Sequence, residues 1–97
     1  MFGRVTAPAA RRARLRDRLA REGLDALLVT ACDKIHNGSR IAADVRTYGP
    51  DFWTTFGPTP EQLHWYYGAV SAVIGERLPG TSVAAALART VADLQSV

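Results

Sequence analysis

Three Gly/Pro pairs cut this chain into pieces, and the pieces have helix length. Gly49-Pro50, Gly57-Pro58 and Pro79-Gly80 each stop a helix, because proline fixes φ, lacks an N–H and keeps the residue before it out of the helical region. Between the breaks the apolar residues recur at helical spacing, and no stretch shows strand alternation. The chain therefore reads as all-α, with about four main helices and a short aromatic turn, in one domain. Residues 1–8 read as a loose N-terminal arm and 9–97 as a single helical domain.

The first helix is expected from Ala9 to Arg21, with Leu15 and Leu19 one turn apart on its apolar side. Gly23 suits a helix stop, and Asp25 is a candidate cap for the next helix. That second helix, Asp25–Tyr48, is expected to bury Leu28, Cys32, Ile35, Ala42 and Val45. Asp33, Asn37, Arg40 and Asp44 fall on a second, polar face. Gly38-Ser39 is a weak point where the helix is expected to bend. Phe52, Trp53 and Phe56 belong to a short turn whose rings plug the core. Thr59-Pro60-Glu61-Gln62 has the form of a capping box with proline in the first turn. It opens a helix running to Leu78 through Leu63, Tyr67, Val70 and Ile74. Thr81 or Ser82 caps a last helix carrying Val83, Leu87, Val91 and Leu94.

Composition narrows the chemistry. A single cysteine excludes an internal disulfide framework and a cysteine-rich zinc site. Two histidines, His36 and His64, exclude a metal site built from three or four histidines of this chain. Neither an apolar run of spanning length nor a signal-peptide pattern is present, so the expected location is the cytoplasm, away from membranes. The formal charge of +3 is uneven. Residues 1–21 carry seven arginines against Asp17, a net +6, while residues 22–97 carry a net −3. A basic partner surface is thus confined to one terminal helix. With no recognition helix pair, zinc finger or RNA-binding motif, nucleic acid is not the expected partner.

On residue chemistry alone, Asp33-Lys34-Ile35-His36-Asn37 reads either as a metal ligand beside a hydrogen-bonding group or as an ordinary solvated face. Lys34 points away from Asp33, to the surface or toward a phosphate. His36 and His64 read as packing residues, and Cys32 as buried and inert.

The stretch Leu27-Leu28-Val29-Thr30-Ala31-Cys32-Asp33-Lys34-Ile35-His36-Asn37 resembles the A-D-K-L-H-N segment of HD-domain phosphohydrolases. These small proteins are related to the hydrolase domain of the bifunctional (p)ppGpp synthetase/hydrolases. Phe52-Trp53-Thr54-Thr55-Phe56, followed by Glu61-Gln62-Leu63-His64-Trp65-Tyr66-Tyr67, resembles their W-x-x-F and E-x-Q-L-W-Y-Y block. The likeness runs from about Ala26 to Leu94. The shorter stretch Arg18–Thr30 also resembles the N-terminal region of creatinase/prolidase-type peptidases and stops there.

The HD resemblance implies a fold and a partial site. In the family a divalent metal, commonly manganese, is held by a His, a His-Asp pair and a later Asp, and the later Asp falls on Asp33. The asparagine near the nucleotide sugar falls on Asn37. Lys34 matches the motif, and Arg40 and Arg46 are phosphate-side candidates. This chain has no His-Asp dipeptide and no histidine before Asp33. It is expected to correspond to the C-terminal part of such a domain, a helical fragment of the HD fold that neither holds the metal nor hydrolyses a nucleotide alone. The alternative is a non-catalytic helical interaction module, pairing with a second copy or a helical partner through the Phe52/Trp53/Phe56 cluster.

Overall fold

The structure is a computed structural model describing residues 8–97. Four α-helices and one 3₁₀ helix make up the described chain, with no strand among the described residues: α1 Pro8–Ala20, α2 Leu24–Tyr48, a 3₁₀ turn Pro50–Phe56, α3 Pro60–Arg77 and α4 Ser82–Ser96. The expected arm lies outside the described residues except for Pro8, which opens α1.

Local chemistry accounts for the ends. Gly49 closes α2 at φ 92°, a conformation that favours glycine, and its N–H bonds the carbonyl of Val45 at 2.8 Å. Thr59 and Gln62 form the reciprocal box: the Thr59 hydroxyl accepts from the Gln62 N–H at 3.1 Å, and the Gln62 side chain accepts from the Thr59 N–H at 2.9 Å. Thr81 caps α4 by accepting from the Ala84 N–H at 3.2 Å. Asp25 is not a cap. Gly23 takes that position with no side-chain bond, and Asp25 sits inside the first turn, where its charge complements the helix dipole.

The core has two parts. Leu15 and Leu19 of α1, Leu27 and Ala31 of α2, Val70 and Ile74 of α3 and Leu87 of α4 close the first. Ala42, Val45, Trp53, Tyr67 and Leu94 close the second. Leu27, Ile74, Leu87 and Leu94 are fully buried, each contributing about 1.5–3 kcal/mol of apolar transfer.

The buried stripe of α2 differs from the expected one. It runs through Leu27, Ala31, Gly38, Ala42 and Val45, and Leu28 and Cys32 are exposed. Leu27 and Leu28 are equally apolar, so the choice between two faces 100° apart falls to the small residues. Ala31, Gly38 and Ala42 let neighbouring helices approach, and that face wins. Helix α2 runs unbroken through Gly38, and the glycine there serves a close contact. A Cβ there would stand 2.7 Å from Thr90 Cγ2 and 3.2 Å from Tyr67 Cε2. Gly38 meets Thr90 and Arg46 meets Asp93, so α2 and α4 run in the same direction.

Helix α1 is pinned to α3 by Arg77, which donates to the carbonyls of Leu19 at 3.0 Å, where it joins the Glu22 N–H, and of Glu22 at 3.3 Å, in the turn after α1. The fold is thin. Its shortest dimension is 17 Å, two helix layers deep, and its radius of gyration is 14.1 Å. A compact chain of this length has about 12.5 Å.

Candidate functional site

Asp33, Lys34 and Asn37 are brought together by one turn of α2. Asp33 Oδ2 accepts from Lys34 Nζ and from Asn37 Nδ2, each at 3.3 Å. The i, i+4 spacing sets the asparagine beside the carboxylate. The carboxylate is open to solvent, with its side chain 54% exposed.

Lys34 departs from expectation. Its stem lies at the edge of the core, and the ammonium turns back onto Asp33, 5.5 Å from the Tyr66 ring centroid. Burial pulls the Lys34 pKa down, but Tyr66 and the bonded Asp33 outweigh it and hold the ammonium above its ordinary value. Burial pushes the Tyr67 phenol up, against the smaller opposing effect of Lys34.

Asp33 and Lys34 line a cleft of about 270 Å³ with Arg18, Glu22, Thr30 and Tyr66. Asn37 and Arg40 line a different one, of about 420 Å³, with Asp44, Phe56, Leu63 and Tyr67. Asp33, Asn37 and Arg40 share a helix face, yet the four candidate residues divide between two clefts. Arg46 is engaged elsewhere, paired with Asp93 of α4.

The described residues do not by themselves assemble the full ligand set of a manganese ion. Ions of that kind take about six oxygen or nitrogen ligands in octahedral array. Among the described residues no three His, Cys, Asp or Glu side chains come together. The carboxylate in question already holds an ammonium on one oxygen.

The histidines separate. His36 is exposed, contrary to the packing expectation. His64 is half-buried against the edge of Trp53, centroids 5.5 Å apart, and its Nε2 lies 3.2 Å from the Leu94 carbonyl oxygen, a contact that needs the N–H on Nε2.

The aromatic cluster also divides. Trp53 is buried at 8% exposure, a core residue rather than a docking one. Phe52 and Phe56 are half-buried, and Tyr48, which the sequence reading left out, stacks on Phe52 at 4.8 Å and stands exposed. Leu24, Leu28 and Val29 are exposed as well. Sequence reasoning placed Leu28 in the core; its only signal for an outer face was the run Leu27-Leu28-Val29, too apolar to lie on one side of a helix. No described helix is long and apolar enough to cross a membrane.

Comparison with protein-family models gives no match, and comparison with curated proteins gives none. What the geometry defines is an all-helical module with an open polar turn, no metal-binding cluster among its described residues, and apolar side chains left outside the core.

Proposed function

We propose that this chain is a non-catalytic helical interaction module whose partner is a second copy of itself. One observation carries the reading: the large apolar side chains exposed among the described residues, Leu24, Leu28, Val29 and Tyr48, all belong to α2. Leu24 and Leu28 are one turn apart and form a continuous patch beside the core stripe. A two-layer fold leaves such a face nothing of its own chain to pack on. Sedimentation of the purified protein across concentration tests this. Self-association that disappears in Leu24→Ser/Leu28→Ser, with helicity and melting temperature kept, is expected. A wild-type chain that stays monomeric at every concentration removes the reading.

A second reading rests on the Asp33–Asn37 pair. Its spacing and solvent exposure agree with the HD-type resemblance, in which Asp33 supplies one ligand to a divalent metal and Asn37 faces a nucleotide such as (p)ppGpp. The remaining ligands are not in this chain. Manganese-dependent release of pyrophosphate from (p)ppGpp, abolished by Asp33→Ala, is its signature. No turnover by the purified chain leaves the interaction module as the function of these residues.

A further inference from the structure

The arginines of α1 are arranged, not merely abundant. Arg11, Arg14 and Arg18 stand at i, i+3 and i+7, and Arg21 in the following turn continues the row at i+10. At 100° per residue the three within α1 fall within an arc of about 60°, and Arg21 lies in the turn beyond the helix end. All four are exposed, and none belongs to a salt bridge among the described residues. Arg16, off this row, is the one that pairs with Glu76. Asp17 on the flank is the single acid of α1.

The row borders an aromatic slot. Arg11 lays its guanidinium carbon 4.3 Å from the centroid of the Trp65 ring. Trp65, Tyr66 and Tyr67 line the space beside it, about 450 Å³, with Gln62 supplying an amide. Trp65 Nε1 is a buried donor with no acceptor, the only such side-chain atom among the described residues. An N–H in that condition has lost the bond that water would give it and gained none from the protein.

We propose that this slot and the arginine row bind single-stranded nucleic acid, one base entering beside Trp65 and Tyr66 by displacing the Arg11 guanidinium from the Trp65 ring, while the freed Arg11 joins Arg14 and Arg18 on successive phosphates. Absence of a recognition motif weighs against a duplex reader, and the structure answers with a surface of a different kind. Stacking platforms beside a cationic track serve unpaired bases without sequence preference. An acidic peptide would satisfy the arginines but leave the ring wall unused, and a duplex keeps its bases stacked on one another. At the other end of α1 the track meets Glu22 and Asp33 near Arg18, which confines the strand to the Arg11–Arg18 stretch.

Anisotropy of a dye-labelled ten-residue oligothymidylate, titrated with the intact chain, tests the proposal. Three phosphate contacts give a salt slope of about −2, or roughly a twenty-fold loss of affinity between 50 and 200 mM salt. Tryptophan emission is expected to fall on binding, and Trp65→Phe to remove that fall while keeping most of the affinity. Arg14→Glu/Arg18→Glu, two exposed positions whose exchange leaves the core alone, is expected to weaken binding at least tenfold. No binding at 50 mM salt overturns the proposal. So does equal binding of a duplex or of polyglutamate without emission change, which would assign the row to general attraction of anions.

Discussion

Gly38 and Thr90 occupy one space: a single methyl added to the glycine would stand 2.7 Å from the threonine Cγ2. The threonine has little room to yield, because its Oγ1 is bonded to the Ala86 carbonyl at 3.1 Å. In an open helix, alanine would stabilise this position by about 1 kcal/mol over glycine. Here overpacking, typically about 1–3 kcal/mol, opposes that gain. Gly38→Ala is therefore expected to lower the melting temperature, and Gly38→Ala/Thr90→Ser to recover most of the loss, since serine lacks the offending methyl. Thermal unfolding followed by circular dichroism decides it.

Adjacent leucines give a sharp contrast. Leu27 is 0% exposed and Leu28 is 40% exposed. Leu27→Ala is expected to cost about 2–5 kcal/mol in urea unfolding. Leu28→Ala should change stability by under about 0.5 kcal/mol. Equal losses at both positions would mean that the stripe of α2 lies elsewhere.

Trp53 and Tyr48 divide along the same line. Trp53→Ala should destabilise the fold by about 3–5 kcal/mol, because the ring fills the second core against Val45, Tyr67 and Leu94. Tyr48→Ala should leave the unfolding midpoint nearly unchanged, since it removes an exposed ring that stacks on Phe52. Chemical denaturation of the two variants separates core from surface.

Arg77 joins α1 to the rest. Arg77→Met keeps much of the stem but removes the side-chain donor to the Leu19 and Glu22 carbonyls, leaving Leu19 the Glu22 N–H alone. Bonds to a charged group contribute about 1.5–3 kcal/mol at most, less where water competes. Amide hydrogen exchange in α1 is expected to accelerate while α3 stays protected. Arg77→Lys should not restore protection fully, because a single ammonium cannot reproduce the two-armed fork.

The Arg46–Asp93 pair sets an acid dependence. The Arg46 guanidinium holds the Asp93 carboxyl below its ordinary value, and Arg46 is itself raised by the same bond. A carboxyl lowered in the folded state favours folding above its unfolded pKa. That contribution fades as the pH falls below about 4, through the folded pKa. Both groups face solvent, so the effect is small and screened by salt. In Asp93→Asn the acid limb of the stability curve should be flatter than in the wild type, and the difference should shrink in 1 M salt.

Most helix ends were legible because they depend on neighbours in sequence; the start of α2 was not, since Gly23 rather than Asp25 takes the cap position. Thr59 and Gln62 specify their box within four residues, Thr81 its cap within three, and Gly49-Pro50 its own break. Asn37 beside Asp33 was legible for the same reason, a spacing of one turn. The rest of the site was not. That Arg40 opens onto a different cleft from Asp33, that Lys34 folds back onto Tyr66, and that Arg11 covers Trp65 all depend on where α1 and α3 lie against α2.

By itself, then, the sequence determined an all-α chain, its four main helices and aromatic turn, and a polar face on α2 carrying Asp33, Asn37, Arg40 and Asp44. Backbone propensity and side-chain spacing act over a few residues and need no partner element. Only the tertiary structure decided which of Leu27 and Leu28 is buried, that Gly38 is a contact, that Trp53 is core while Tyr48 is surface, and that the α1 arginines border an aromatic slot. Those outcomes depend on the close approach of helices distant in sequence, where a difference of one methyl group selects the face that can pack.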